Sequence, residues 1–521
     1  MMVTIGLKDI IFLCFCAIIH LTYRRYKRRV LPLPPSLPGW PIVGNAFQLP
    51  LTYVHIFYQD LERKLGSKIM YVESLGQPTI VINDARIASD LLEKRSAFYS
   101  SRPRLPMFEV IGLTRIFFVI LPHDDDWRNQ RRVFHQYFSK KDLPREEEKA
   151  LAFIRKALLP NLYQTPENFR DHARECIGGL ALSITYGIPV NRNNDPLIKL
   201  AAEAFLAAGM AIAPGVYWVN KFPFLKHVPG WLPGTQFKQF ARHARVQLNR
   251  IVEEPYQMAQ KDIKDSTAPE SFVSASLENY KNSPDFELFQ SHIKNAASQV
   301  FGAASETTLT ALMSFILAML IYPEIQRKAQ EEVDLVVGTD RLPDFSHRSQ
   351  LPYLTAVLKE VLRWNPVLPT GVAHVTTVED VYAGYYIPKG ATIIANAYAM
   401  LHDEEVFPNP KEFDPDRFIK DGVLVEDILD PMVTATFGFG RRVCPGAHVA
   451  LATLYIAAAS ILSMFDISPV LDENNNPIKV KPEFIAASLA SEPLPFPCKI
   501  TPRHGKDIDG LLAGNMGVEI L

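Results

Sequence analysis

Ten residues near the carboxyl end, Phe437-Gly438-Phe439-Gly440-Arg441-Arg442-Val443-Cys444-Pro445-Gly446, combine one cysteine with three glycines and two arginines. Glycines permit tight or positive-φ backbone, so several peptide N–H groups can converge on the Cys444 sulfur. Those donors and the flanking cations favour a thiolate, the form of cysteine that ligates metals. A helical pattern resumes over Ala447 to Leu462, which places Cys444 just before a helix amino terminus, whose dipole also favours a negative sulfur. Taken alone, such a cysteine is more often an inert buried thiol beside a glycine turn. The other cysteines are Cys14, Cys16, Cys176 and Cys498; five scattered residues make a poor disulfide framework and fit a reducing compartment.

Two more groupings carry charge or acid–base capacity. Glu360 and Arg363 are spaced i,i+3, so on a helix they share one face; an isolated pair of this kind is usually a surface ion pair. Glu306 and Thr307 sit in Ala303-Ala304-Ser305-Glu306-Thr307-Thr308. A mid-helix threonine can bond a carbonyl one turn back, loosening the helix and making room for water, although serine and threonine on an alanine-rich helix are commonly packing residues. No glycine-rich dinucleotide fingerprint follows a predicted strand, and no flavin-binding region is evident.

The elements that must position these residues are mostly helical. Periodicity predicts helices over Ala85 to Lys94, Trp127 to Phe138, Glu147 to Leu158, Phe169 to Tyr186, Pro196 to Ala208, Phe237 to Tyr256, Leu288 to Ile321 and Pro323 to Val337. Ile69 to Val72 and Pro78 to Asn83 read as short strands around Gly76. The fold class is therefore mainly α with a smaller β region. Leu288 to Ile321 is long and poor in charge, which places it through the core. With 48% hydrophobic and 21% charged residues, the chain can build one large core, and no repeat or low-complexity stretch divides it after the first fifty residues. A net charge of −1 gives no reason to expect nucleic acid as a partner.

At the amino terminus, the apolar run Val3 to Tyr23 is followed by Arg24, Arg25, Lys27, Arg28 and Arg29. Positive charge after the apolar segment, with no small-residue cleavage site, predicts an uncleaved single-pass anchor with the globule on the cytoplasmic side. Leu31 to Pro41 contains five prolines, too many for a continuous helix, and reads as a rigid hinge. The expected organisation is an anchor at 1–23, a basic and proline-rich hinge at 24–45, a catalytic domain at 46–502 and a tail at 503–521. Trp218, Phe222, Phe224 and Trp231, with Lys221, Lys226 and Lys238, form an aromatic and basic stretch that either meets a membrane interface or is buried under a loop.

Phe437, Gly440, Arg442, Cys444 and Gly446 resemble the heme-binding signature of the cytochromes P-450, and Glu360-Val361-Leu362-Arg363 resembles that family's Glu-x-x-Arg motif. The resemblance runs from about Pro34 to Pro502. It implies the cytochrome P-450 fold with a long central helix over heme b, and Cys444 as sulfur ligand to the iron, a thiolate whose electron donation favours O–O cleavage. It further implies that Arg417 completes a buried network with Glu360 and Arg363, and that Trp127, Arg131, His374 and Arg442 contact the heme propionates. Glu306 and Thr307 then match the acid–threonine pair that delivers protons to dioxygen, with Ala304 in place of the more usual glycine and the helix tighter there. Electrons would come from NADPH through a separate flavoprotein cytochrome reductase, docked by Arg128, Arg132 and Arg441.

By the same resemblance the pocket draws on Phe108, Phe117, Phe118, Val300, Ala303, Val367 to Thr370 and Ile485 to Leu489, mostly apolar groups that suit a lipophilic small molecule. Arg363-Trp364-Asn365-Pro366 and Pro495-Phe496-Pro497-Cys498 are similar to fungal members of secondary metabolism, with a terpenoid or polyketide as the leading substrate class and an indole-like amine second. The anchor then belongs in the endoplasmic-reticulum membrane. A heme-thiolate isomerase or dehydratase, which needs no proton relay, and a noncatalytic heme sensor are the competing readings.

Overall fold

The computed structural model describes residues 31–139, 141–190, 194–212, 216–485 and 489–513. The anchor expected at 1–23, the basic cluster 24–29, part of the Ile485 to Leu489 pocket segment and the end of the tail lie outside the described residues.

A 36-residue helix, Phe286–Ile321, runs through the interior for about 54 Å. Beyond its first turns it is apolar on nearly every side, and a helix with no polar face must be wrapped by others. It is packed by Phe169–Tyr186, Pro196–Ile212, Phe237–Lys264 and Asp125–Tyr137, and near its middle by Ala447–Met464. Two of these helices, Phe286–Ile321 and Ala447–Met464, are long and apolar enough to cross a bilayer, but 83% and 72% of their most apolar windows are buried, so they are core helices.

Most helix ends follow side-chain chemistry. The Asp124 carboxylate accepts from the Trp127 amide at 3.1 Å and starts the Asp125–Tyr137 helix, on which Trp127 lies one turn before Arg131. Phe169–Tyr186 stops at Gly187, whose φ of 71° only glycine adopts easily. The helix beginning at Phe237 continues through Pro255 to Lys264, beyond the expected end at Tyr256. Its buried stripe of Leu248, Ile251, Val252, Pro255 and Ala259 is unbroken, and packing along that stripe outweighs the backbone hydrogen bond the proline cannot make. Ala85 to Lys94 is α-helical only to Ser89 and then widens to a π-turn over Asp90–Lys94; Ile154–Leu158 does the same.

The small sheet has four strands in the order Ile69–Ser74, Gln77–Ile82, Thr392–Ala395 and His374–Val375. The first pair is an antiparallel hairpin, with Ile69 opposite Ile82. Gln77–Ile82 then runs parallel to Thr392–Ala395, so the sheet joins the beginning of the chain to its last third. Against the hinge expectation, residues 31–45 do not stand off as a linker. Pro32 and Pro35 accept from the Tyr386 and Tyr71 amides at 2.8 and 2.9 Å, and Leu33 and Leu37 pack into the cores beside the sheet. The aromatic stretch is not buried under a loop: Trp218 and Phe224, on short 3₁₀ turns, and Trp231, in the turn beyond them, are 61%, 64% and 80% exposed.

Candidate active site

Among the described residues, two openings into the packed interior bear on a candidate site. On the central helix Val300, Ala303, Ala304 and Thr307 retain exposed surface between buried neighbours. Their i, i+3, i+4, i+7 spacing makes them one stripe. The second opening is at Cys444, deep in the protein but accessible along one side, immediately before the Ala447–Met464 helix. The helices that border the two openings pack against each other.

The cysteine loop is folded by its glycines. Cys444 N–H donates to Phe437 O at 2.7 Å, which closes the loop on itself. Gly440 has φ +57°, and a Cβ there would meet Leu92 O at 2.1 Å. That carbonyl belongs to the π-turn Asp90–Lys94, so the widened helix is what presses on the loop. Gly446 caps the following helix and its N–H points at the sulfur.

The expected cationic help is distributed differently. Arg441 is exposed. Arg442 turns away from the sulfur: its guanidinium donates to Ser100 O, Phe118 O and Leu121 O at 2.7, 3.1 and 2.8 Å and stacks over the Trp127 ring at 4.4 Å. The cation acting on Cys444 is Arg131, whose Nη2 donates to Val443 O at 2.6 Å. Burial outweighs Arg131 and the Gly446 N–H and pushes the thiol up, so the loop by itself does not make a thiolate. A coordinating metal would, because metal binding removes the proton outright.

Around this loop lie three buried guanidiniums bonded to neutral acceptors. Arg102 donates to Val119 O, Val372 O and Ala373 O at 2.9, 2.5 and 2.9 Å; Arg131 adds His135 Nε2 at 2.8 Å to its carbonyl. Burial and mutual repulsion push Arg102 well down, Arg442 to about 9, and burial alone takes Arg131 to about 10. His374 is buried, donates from Nδ1 to Tyr99 O at 2.8 Å, and is held neutral by burial and by Arg102 and Arg442. The buried Trp127 Nε1 has no partner among the described residues. Three buried cations and an unused indole donor around one spot form a site for carboxylates. Trp127, Arg131, His374 and Arg442 are thus brought together near Cys444, and the heme propionates fit them. Arg102 was not foreseen; one arginine between Ser101 and Pro103 belongs to no helical pattern that would mark it.

Behind the site, the Glu360 carboxylate takes two bonds from Arg363 at 2.6 and 2.7 Å, one from Arg417 at 3.3 Å and the Asp414 amide at 2.8 Å. Arg363 spends its other donors on Leu401 O, Pro410 O and Glu412 O. Burial pushes Glu360 up and the two guanidiniums pull it back, which makes this a folding knot in place of a surface pair.

On the central helix Thr307 Oγ1 donates to Ala303 O at 2.7 Å, and Ser305, Thr310 and Ser314 repeat the same one-turn bond. The helix stays α-helical throughout; the hydroxyls do not open it at Thr307 as expected, because each bond supplements the helical ladder without replacing a member of it. Glu306 is buried, with Arg174 Nε 3.7 Å from its Oε1. Burial holds its carboxyl above the usual range against the pull of Arg174. Of the expected pocket residues, Phe108 and Phe118 are almost fully buried, whereas Val300, Ala303, Leu368 and Thr370 keep open surface. On the outer face Arg128, Arg132 and Arg441 are exposed, and Arg128 pairs with Asp125.

A mainly helical fold with a cysteine loop below a long central helix and a buried cationic rim defines a heme-thiolate protein. The family model for cytochrome P450 matches residues 34–496. The chain is 40% identical over 479 residues to a cytochrome P450 monooxygenase of Armillaria gallica, covering 92% of this chain and 93% of the relative. It is also 40% identical over 479 residues to the monooxygenase ple1 of Rhodocybe pseudopiperita, 92% and 91% covered. To the tryptamine 4-monooxygenase of Psilocybe cyanescens it is 36% identical over 483 residues, 92% and 94% covered. The chain belongs to the cytochrome P450 family and is a heme-thiolate monooxygenase, with heme iron as cofactor and electrons from a redox partner.

Proposed function

We propose that this enzyme inserts one oxygen atom from dioxygen into a lipophilic small molecule of fungal secondary metabolism, of the terpenoid or polyketide class. The observation that carries the substrate class is the stripe Val300, Ala303, Ala304 and Thr307, small and apolar apart from one hydroxyl, which selects by shape. An indole-like amine stands second on the name of the Psilocybe relative. Glu306, buried beside the stripe, faces the Arg174 guanidinium at 3.7 Å, and a cation already there disfavours a second one, which favours the neutral class.

Heme, when bound, supplies the oxygen activation. Cys444 would be its sulfur ligand; Trp127 Nε1, Arg131, His374 and Arg442 would hold its carboxylates; Phe437 and Gly440 shape the loop, and the Gly446 N–H points at the sulfur. The chain's own task is to keep water and protons in order. Thr307 Oγ1 donates to Ala303 O and borders the open stripe; turned toward the stripe, the hydroxyl gives its proton there as it takes one from Glu306. Glu306, whose carboxyl burial pushes above its usual range, is the donor that refills it. Replacing Thr307 by Ala tests this: product formed per NADPH falls severalfold with heme content unchanged, whereas wild-type coupling refutes the role of the hydroxyl.

Electrons reach the site from an NADPH-dependent flavoprotein reductase at the face of Arg128, Arg132 and Arg441. Membrane attachment is through a single-pass amino-terminal segment in the endoplasmic reticulum. Exposed Trp218, Phe224 and Trp231, beside Lys221 and Lys226, support a second contact with the lipid surface.

A further inference from the structure

Arg174 stands among three carboxylates, and none of them is close enough for a direct hydrogen bond. Its Nη1 is 3.7 Å from Asp171, its Nε 3.7 Å from Glu306 Oε1, and its Nη2 3.8 Å from Glu492. Arg174 Nε and Glu306 Oε1 are both buried without a hydrogen-bond partner among the described residues. Buried charged atoms that face each other just beyond bonding distance are the geometry a bridging water completes. Glu492 is itself anchored: Arg170 Nη2 donates to it at 2.5 Å and to Pro493 O at 2.7 Å.

The cluster joins three parts of the fold. Arg170, Asp171 and Arg174 share one face of the Phe169–Tyr186 helix, Glu306 comes from the central helix, and Glu492 from the loop after residue 489. It also grades from solvent to core: the side chains of Asp171, Arg174, Glu492 and Glu306 are 72%, 28%, 17% and 10% exposed. The charges acting on Glu306 from the packed elements are Arg174, Glu492 and Arg170, with Asp171 on the outer side of Arg174.

We propose that Arg174 is the hub of a solvent-linked charge cluster that admits protons to Glu306 from the outer surface, with Glu492 setting how strongly Arg174 acts on that carboxyl. This rests on the reading of Glu306 as proton donor. A proton from bulk water passes along waters held by Arg174 and Glu492 to the Glu306 carboxylate; Glu306 then passes it toward Thr307 and is left ionised for the next. Arg174 and Glu492 are positioning residues, since neither touches the open stripe.

Their opposite signs provide the test. In full-length, heme-loaded enzyme, the carboxylic-acid C=O infrared band lost in Glu306→Gln is titrated in wild type, Arg174→Gln, Arg174→Lys and Glu492→Gln. Removing the cation at this range raises the Glu306 midpoint by about one pH unit or more. Glu492→Gln frees Arg170 and Arg174 to act on Glu306 and lowers the midpoint; Arg174→Lys stays within a few tenths of wild type. Arg174→Gln and Glu492→Gln both reduce product per NADPH and enlarge the solvent deuterium effect on turnover. Midpoints that do not move, or that move the same way, overturn the proposal; Glu492→Gln and Arg174→Lys decide it even if Arg174→Gln does not fold. Midpoints that move as stated while Glu306→Gln keeps full coupling refute instead the underlying reading of Glu306 as proton donor.

Discussion

Gly440→Ala should dismantle the cysteine loop, whereas Gly446→Ala, six residues away, should not. At Gly440 the backbone has φ +57°, a left-handed conformation that costs an alanine about 1–2 kcal/mol. The added Cβ would lie 2.1 Å from Leu92 O and 2.9 Å from Leu92 C. To reach even 3.0 Å the two backbones must part by about 0.9 Å, and overpacking of this kind costs about 1–3 kcal/mol. The obstacle is main chain in a π-turn, so no rotamer change relieves it. Together these terms give about 2–5 kcal/mol, or about 30-fold to a few thousand-fold in the stability of the loop at 1.4 kcal/mol per tenfold. Gly446 lies at φ −92° with nothing within 4 Å of an added Cβ. Heme content per protein and the area of the reduced, carbon-monoxide-bound Soret band are read for both variants. Near-complete loss in Gly440→Ala beside near-normal values in Gly446→Ala is expected; equal behaviour would refute the argument that Leu92 dictates glycine at 440.

Trp127→Phe keeps the ring under Arg442 but removes the unpaired Nε1 donor, so heme should transfer to a competing heme-binding protein about 5- to 12-fold faster, at roughly 1–1.5 kcal/mol per hydrogen bond, with unfolding little changed. Glu360→Gln leaves Arg363 and Arg417 facing a neutral amide and should lower unfolding stability by about 3–5 kcal/mol, read by denaturant titration; a variant within 1 kcal/mol of wild type would mean the pair is not the folding knot described. Asn365 donates to Ser314 Oγ and Ser491 O at 2.9 and 2.7 Å and accepts from Ser491 Oγ at 2.7 Å, tying the central helix to the loop that carries Glu492. Asn365→Ala should cost about 1–3 kcal/mol and lower product per NADPH, both measured on the same preparation.

Signals that depend on neighbours in sequence were legible and those that depend on the fold were not. Phe169–Tyr186 and Pro323–Val337 have the bounds their periodicity predicts, since a proline start or a glycine stop marks an end of each. The helix through Pro255 was misjudged because its continuation is stabilised by burial, which no local propensity records. The cysteine loop could be read from its glycines, but the partner that makes Gly440 necessary is Leu92, more than three hundred residues earlier. Proximity in sequence pointed to Arg441 and Arg442 as the cations beside the sulfur; folding turned both away and brought Arg131 from another helix. Arg102, Arg174 and Glu492 had no motif to announce them, because each acquires its role only from groups distant in the chain.

The central claim is that Cys444 is the sulfur ligand of a heme. It is tested most directly by the reduced, carbon-monoxide-bound absorption spectrum of the full-length protein beside that of Cys444→His. The wild type should show the red-shifted Soret band of a thiolate ligand, and the variant, if it retains heme, the shorter-wavelength band of an imidazole ligand. A thiolate-type band that survives in Cys444→His, or one missing from heme-loaded wild type, would contradict the assignment.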